Sequence, residues 1–175
     1  CPNVECEGMA FGVDSKVVEA VTKAVRKVTD KPVIVKLSPN VTDIVEIAKA
    51  VEAGGGNGVS LINTLLGMAI DIHRRKPVLG NIYGGLSGPA VKPVALRMVH
   101  QVYKGVTIPI IGLGGIMTGT DAIEFMMAGA QAVQVGTATM VDPTAISRIA
   151  REMSEYVEQY NLNSITDIVG AVHQV

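Results

Sequence analysis

The chain of 175 residues is 48% hydrophobic and 18% charged, with a formal net charge of −1 at pH 7, which is typical of a globular domain and excludes a disordered chain. So balanced a charge provides no positive field for nucleic acid or an anionic membrane, and an aromatic content of 3% leaves little for stacking against single-stranded bases. No apolar run approaches the about 18 residues that a membrane-spanning helix needs.

The first 13 residues are glycine-bearing and irregular, which predicts a loop. They begin at Cys1 without an initiator Met, so we expect the sequence to be the second part of a longer polypeptide. Asp14 can cap a helix that continues to about Thr29 and carries valines on one face. Two cysteines, Cys1 and Cys6, are too few for a disulfide framework or a zinc site, so a reducing cytoplasm is the expected location.

Four short apolar segments predict strands, each ending in polar residues or glycine: residues 33–38, 58–64, 108–115 and 132–137. Amphipathic helices are predicted after them: residues 42–54, 89–104, 120–128 and a long helix capped by Asp142 with Pro143 in its first turn. Repetition of strand and helix indicates a parallel sheet with helices packed outside it. A (β/α)8 barrel needs eight such units and about 250 residues. With four units, the sequence predicts an α/β fold in which residues 1–175 form the C-terminal half of one TIM-barrel domain.

Between the second strand and the next helix lies an unusually long connection, residues 65–88. Connections of this length are usually functional or mobile. Its basic cluster, residues 73–76, is expected to be a solvated tip, with a docking patch or a lid as the alternative. The three histidines, His73, His100 and His173, are isolated, and solvated positions are expected for them. Residues 163–174 predict one more short helix.

Polar residues or glycines end each predicted strand: Lys36, Asn63 and Thr64, Gly114 and Gly115, Gly136 and Thr137. The carboxyl ends of parallel barrel strands lie on one face, and that face carries the active site. Lys36 interrupts an apolar strand, so its ammonium either reaches solvent or a carboxylate at the rim, or provides a fixed positive charge beside an electron-rich cofactor.

The glycine pairs suggest a phosphate site, because bare backbone N–H groups can approach phosphate oxygens; tight turning alone is the alternative. Asn63 and Thr64 suit a planar substrate with imide-like groups, or form an ordinary turn. Cys1 is either a thiolate or base, or an inert buried thiol, and Cys6 is expected to be structural.

Together these segments resemble the dihydroorotate dehydrogenase family, flavin-dependent (β/α)8-barrel enzymes of pyrimidine synthesis. The resemblance rests on these segments: CPNV at 1–4, VKLSPNVTDI at 35–44, INT at 62–64, GGLSGPAVKPVAL at 84–96, IIGLGGI at 110–116 and QVGTA at 134–138. The stretch LLGMAIDIHRRKPVLGNIYGG most resembles the NAD-linked bacterial subclass, class 1B, whose catalytic subunit pairs with an iron–sulfur flavoprotein.

The resemblance implies a role for each matched residue. Cys1 is expected to be the catalytic base that takes a proton from dihydroorotate as hydride passes to FMN. Lys36 matches the lysine beside the flavin ring, where its charge favours the reduced, anionic ring. Further FMN contacts are expected from Ile62, Gly88, Gly114, Gly115, Gly136 and Thr137. Asn63 and Thr64, with Asn3, match substrate-binding positions.

The function so implied is oxidation of dihydroorotate to orotate in UMP biosynthesis, by a cytoplasmic enzyme without nucleic-acid or membrane partners. Electrons would pass from FMN through a partner subunit with FAD and a 2Fe–2S cluster to NAD, in a heterotetramer built on a homodimer. The alternatives are a fumarate-linked soluble enzyme or related pyrimidine-reducing flavin barrel, and a non-catalytic half-barrel. The family's first barrel strands are absent from this sequence, so an open sheet with exposed edges and apolar surface is expected.

Overall fold

A parallel sheet with helices on one side organises the chain in a computed structural model, which describes residues 10–173. The helices are α1 (Ala10–Val13), α2 (Ser15–Arg26), α3 (Ile44–Ala53), α4 (Lys92–Tyr103), α5 (Gly119–Met127), α6 (Thr137–Val141) and α7 (Ala145–Gln159). The strands are β1 (Ile34–Leu37), β2 (Gly58–Leu61), β3 (Leu65–Met68), β4 (Ile70–Asp71), β5 (Lys76–Pro77), β6 (Tyr83–Leu86), β7 (Ile110–Leu113) and β8 (Ala132–Gln134). No helix within residues 10–173 is both long and apolar enough to cross a membrane.

The four predicted strands form one sheet in the order β1-β2-β7-β8, and every pairing in it is parallel. Their register aligns Val35 with Val59, and Val59 with Ile110. Alternate side chains therefore point to the same side, where the helices α3, α4 and α5 cover them. Leu37, Val59 and Ile110 are at most 2% exposed. The prediction of a four-stranded parallel sheet with helices packed outside it is confirmed.

The opposite face of the same sheet is open at its two outer strands, β1 and β8. Ile34 is 51% exposed although it belongs to a strand, and Lys36, Ala132 and Gln134 are exposed as well. Among the described residues no strand pairs with the outer edge of β1 or of β8. The apolar stripe of α2 is likewise only partly covered, since Val21 is 44% and Val25 is 43% exposed. An open sheet of this kind was expected, and unpaired edges with apolar surface favour association with further strands.

The long connection of residues 65–88 has secondary structure of its own, because half of its residues lie in short antiparallel strands. β3 pairs with β6, and β4 pairs with β5 at the far end. The basic cluster forms the turn there and is exposed, as expected for a solvated tip. The hairpin, residues 65–86, carries many exposed apolar side chains: Leu66, Met68, Ile70, Ile72, Val78, Leu79, Ile82, Tyr83 and Leu86.

Three of the described helices, α2, α3 and α5, begin at a residue whose side chain caps them. The Asp14 carboxylate accepts hydrogen bonds from the N–H groups of Lys16 and Val17, as the sequence predicts. Thr118 and Asp121 form a reciprocal capping box at the start of α5.

Two predictions near the C-terminus are wrong. Asp142 ends α6 and accepts from the Thr144 N–H, and α7 begins only at Ala145. Residues 163–173 instead contain two short 3-10 turns, Ile165–Ile168 and Ala171–His173, because the backbone between them leaves the helical region at the extended Val169 and at Gly170, which has a φ of 73°.

The expectation that all histidines lie in solvent is also wrong, because two of them stack. The rings of His100 and His173 have centroids 4.1 Å apart, and Tyr103 stacks on the other side of His173 at 4.7 Å. His173 Nε2 lies 3.0 Å from the Ala128 carbonyl oxygen, which makes it the donor of that hydrogen bond. The stack therefore attaches the last described turn to α4. His73 alone is exposed.

Mild acid is expected to weaken this attachment. Burial, together with the nearby His173 and Lys104, lowers the pKa of His100 below its ordinary value. The unfolded chain then binds more protons than the folded one, so stability falls as pH drops below about 6.5, the unperturbed histidine value, and levels off below the folded pKa. Thermal unfolding between pH 7.5 and 5.0 measures this. His100→Gln should flatten the dependence, whereas His73→Gln should not; equal slopes for wild type and His100→Gln would contradict the prediction.

Candidate active site

The carboxyl ends of all four parallel strands open into one cavity of about 680 Å³, within the range of small-molecule and cofactor sites. All the predicted cofactor- and substrate-contacting residues within the described part of the chain line this cavity. They are Lys36, Ile62, Asn63, Thr64, Gly88, Gly114, Gly115, Gly136 and Thr137. Cys1, Asn3 and Cys6 lie outside the described residues. The parallel sheet thus brings together residues that are up to 101 positions apart in the sequence, from 36 to 137.

Lys36 lies on the open face of β1. Its neighbours in the strand, Val35 and Leu37, point to the helices, so the alternation of the strand directs the lysine to the cavity. The adjacent position across the register is Ser60, which is 5% exposed. Among the described residues Lys36 has no ion-pair partner, so the rim carboxylate considered from the sequence is not found there. Its positive charge therefore faces the cavity.

Asn63 and Thr64 follow β2 directly. Asn63 Oδ1 accepts the Thr64 N–H at 2.7 Å, which is the local turn that the sequence allowed as an alternative. That bond uses the amide oxygen, so the Asn63 Nδ2 amide remains as the group that can donate to a ligand.

Asn40 is a residue that the sequence reasoning did not select. Its Nδ2 donates to the Thr64 carbonyl at 3.1 Å, and its Oδ1 accepts the Leu66 N–H at 2.9 Å. The side chain therefore ties the loop after β1 to the segment that carries Asn63 and Thr64. Its place in the SPN triplet directly after a strand was the available signal, since short polar residues there commonly bond to backbone.

Three loops meet at the other end of the cavity, and they form a cradle of backbone. Gly88, Gly114 and Gly115 have positive φ values of 85°, 127° and 79°. A Cβ on Gly115 would lie 2.7 Å from the Gly88 carbonyl oxygen and 2.9 Å from the Lys92 nitrogen, so only glycine fits there. Gly136 faces open space, and Thr137 Oγ1 donates to Ser87 Oγ at 3.1 Å. A concave surface of backbone and hydroxyl groups of this kind fits a phosphate.

A charged cluster formed by Lys92, Asp121 and Glu124 lies next to this cradle. Lys92 Nζ lies 2.6 Å from Asp121 Oδ1 and 2.9 Å from Glu124 Oε2, and these hydrogen bonds raise the pKa of Lys92. Burial opposes ionisation of Asp121, but hydrogen bonds from Lys92 and from the N–H groups of Met117 and Thr118 hold its pKa below the usual range. Within residues 10–173 no group of three or more His, Cys, Asp or Glu is placed to hold a metal ion.

A second cavity, of about 530 Å³, runs along the outer edge of β1 between α2 and the hairpin. It shares Lys36, Asn63 and Thr64 with the first, so the two are continuous around these side chains. Val21 and Val25 of α2 line it and remain more than 40% exposed. The space therefore adjoins the unpaired edge of the sheet.

Comparison with known proteins gives one consistent result. The family model "Dihydroorotate dehydrogenase" matches residues 1–157. A protein of Desulforamulus reducens named "Dihydroorotate dehydrogenase B (NAD(+)), catalytic subunit" is 63% identical over 173 residues, 99% of this chain and 57% of that protein. Proteins with the same name from Alkaliphilus metalliredigens and Geobacter sulfurreducens are 60% and 59% identical, each over 98% of this chain and over 57% and 56% of their own length. The chain therefore spans a little over half the length of these relatives.

Proposed function

Because this chain belongs to the dihydroorotate dehydrogenase family, we propose that it supplies the cofactor cavity of an FMN-dependent enzyme that oxidises dihydroorotate to orotate in pyrimidine biosynthesis. The observation that carries the proposal is the composition of one cavity, which has a lysine and an amide at one end and a cradle of glycines at the other. A flavin mononucleotide has a matching division into a redox-active ring and a phosphate.

The fold proposed for the whole enzyme is a (β/α)8 barrel, with residues 1–175 as the C-terminal half of one domain. Two features support it: both outer strands of the sheet are unpaired within the described chain, and the face that carries Lys36 is open. In the full-length protein further strands would pair with β1 and β8 and close the cavity. Slow hydrogen exchange at the outward N–H groups of β1 and β8 is the expected result, and fast exchange there would contradict closure.

The residues present fit FMN on structural grounds. The positive φ of Gly114 and Gly115, and the atoms that a Cβ would meet at Gly115, leave a cradle that side chains cannot fill. Gly88, Gly136 and Thr137 would complete phosphate binding, and Ile62, 3% exposed, would contact the ring. When bound, FMN would accept the hydride that leaves the substrate. Lys36 would hold its positive charge beside the ring.

The substrate would be bound by the polar groups that line the cavity beside Lys36, and it would be deprotonated by Cys1. The Asn63 amide and the Thr64 hydroxyl can form hydrogen bonds with the imide-like groups of dihydroorotate. Cys1 would take the proton on its sulfur while hydride leaves the neighbouring carbon, so proton and hydride transfer must be aligned on one bound substrate. Asn3, close to Cys1 in the chain, would also face the substrate.

The electron acceptor proposed for the intact system is NAD, reached through a partner subunit that carries FAD and a 2Fe–2S cluster. The name of the relatives supports this, since it includes both NAD(+) and the words catalytic subunit. A homodimer within a heterotetramer and a cytoplasmic location belong to the same proposal. Fumarate-linked oxidation by a soluble homodimer is the competing outcome.

The deciding experiment is an anaerobic titration of the purified full-length protein with dihydroorotate, followed by the visible absorbance of flavin. The whole proposal would be supported if dihydroorotate bleaches the flavin and NAD then restores the flavin absorbance only when the partner subunit is present. Restoration by fumarate alone would favour the competing acceptor. Bound flavin that dihydroorotate does not bleach would contradict the proposed substrate, and absence of flavin would contradict the proposed function.

A further inference from the structure

One arginine outside the cavity contacts two neighbouring segments as well as its own helix. Arg148 lies in the first turn of α7, and its side chain is about one-third exposed (33%). Its Nη2 donates to the Met117 carbonyl at 3.2 Å, and its Nη1 donates to Glu152 Oε1 at 3.0 Å. Its Nε lies 3.5 Å from Asp142 Oδ2. The planar guanidinium thus uses all three of its nitrogens at once.

One of these partners lies in the loop of the first glycine pair, and another lies at the far end of the short helix that begins at the second pair. Met117 is two residues after Gly115, in the loop that follows β7. Asp142 ends α6, the five-residue helix whose N-cap is Gly136. Arg148 therefore links the Gly114–Gly115 loop to the Gly136–Thr137 loop from the outer side of the sheet.

The loop after β7 is held by side chains rather than by a neighbouring strand. Asp121 Oδ2 accepts the N–H groups of Met117 and Thr118, both at 2.9 Å, and Glu152 accepts the Gly119 N–H. The Gly119 N–H and then the Arg148 guanidinium hold the pKa of Glu152 below its usual range, so this carboxylate is charged near neutral pH. The N–H groups of Met117, Thr118 and Gly119 are consequently occupied by internal carboxylates, and that of Asp121 by the Thr118 hydroxyl. A phosphate must instead rely on the glycine loops and on their spacing.

We propose that Arg148 is a positioning residue for phosphate binding, which fixes the separation of the Gly114–Gly115 and Gly136–Thr137 loops. This inference rests on the proposed flavin function. Glycine loops have more accessible conformations than other backbone, so their geometry depends on what holds them. A lysine in place of Arg148 keeps the positive charge, yet a single ammonium on a flexible stem cannot reproduce the three-way fork.

The test compares two ligands that differ only in the phosphate, FMN and riboflavin, on the flavin-stripped full-length protein. For Arg148→Lys we expect FMN binding to weaken about tenfold, in line with the loss of charge-assisted hydrogen bonds, and riboflavin binding to stay unchanged. The deciding quantity is the dissociation constant of FMN divided by that of riboflavin, both measured by flavin fluorescence. This ratio should rise in Arg148→Lys. Arg151→Lys is the matched control, because Arg151 lies on the same helix, is 70% exposed and, within residues 10–173, forms its ion pair with Glu155 at 3.7 Å and not with either glycine loop.

Each outcome bears on the inference. An unchanged ratio in Arg148→Lys, including equal weakening of both ligands, would mean a merely structural role and would overturn it. If Arg148→Lys does not fold, Asp142→Asn serves instead, since it keeps an oxygen for the Thr144 N–H while removing the charge that faces Arg148. That variant should also raise the FMN dissociation constant relative to that of riboflavin, and no change would overturn the inference. Wild-type protein that binds neither flavin would contradict the proposed function and this inference with it.

Discussion

Replacing Cys1 by alanine in the full-length protein is expected to slow the reduction of bound flavin by dihydroorotate about a hundredfold or more, the usual contribution of a general base. Flavin content should be unchanged, because none of the cradle residues is altered. The physical reason is that hydride cannot leave the substrate readily unless the neighbouring proton is removed with it, and alanine offers no basic atom.

Anaerobic stopped-flow absorbance measures this step directly, separate from the later passage of electrons to an acceptor. Cys6→Ala is the matched control, since Cys6 is five residues away in the same segment and is assigned no chemical role. Its reduction rate should equal that of wild type. Reduction at the wild-type rate in Cys1→Ala would remove Cys1 from the proposed mechanism while leaving the flavin site intact.

Replacing Gly115 by alanine is expected to abolish stable FMN binding. The residue has φ of 79°, where a side chain costs about 1–2 kcal/mol, and the added Cβ would lie 2.7 Å from the Gly88 carbonyl oxygen. The loop must then move away from Gly88, which belongs to the same cradle. We expect an affinity loss of at least about a hundredfold, because strain and misplacement add together.

Flavin content after purification and the FMN dissociation constant of the stripped protein check this result. Gly80→Ala is the control, because Gly80 lies in the exposed hairpin and an added Cβ would meet nothing within 4 Å. Circular dichroism and the melting temperature establish that Gly115→Ala is folded. A folded Gly115→Ala protein with full flavin content would contradict the assignment of this loop to phosphate binding.

Much of the architecture was readable from local sequence. Each sheet strand is a short apolar run ended by glycine or a polar residue, and each covering helix repeats apolar residues at a spacing of three and four, as Ile44, Ile47 and Val51 do. These periods reflect burial against a single surface, so they are visible without knowing the partner. The candidate site followed for the same reason, because parallel strands place all their carboxyl ends on one face.

Other features could be decided only by contacts between distant parts of the chain. The hairpin pairs Leu65 with Leu86 through β3 and β6, two short strands that contain glycine and whose sequences show no alternation of apolar and polar residues. The stack of His100 on His173 joins residues 73 positions apart (173 − 100), and each histidine alone fits an exposed helical position. Local patterns do not contain the identity of such partners.

The glycine cradle shows most clearly which features local sequence determines and which depend on contacts between distant residues. The sequence by itself determined which residues end the strands, and therefore which glycines could meet a phosphate. Only the tertiary structure decided what holds those glycines in place: Lys92, which packs against Gly115 and pairs with Asp121, and Arg148, which contacts Met117 and Asp142. It likewise decided that Asn40 bonds to the Thr64 carbonyl at the other end of the cavity. A charged side chain can select its partner from any element that folding brings within hydrogen-bond distance, and such a choice leaves no periodic trace in the chain.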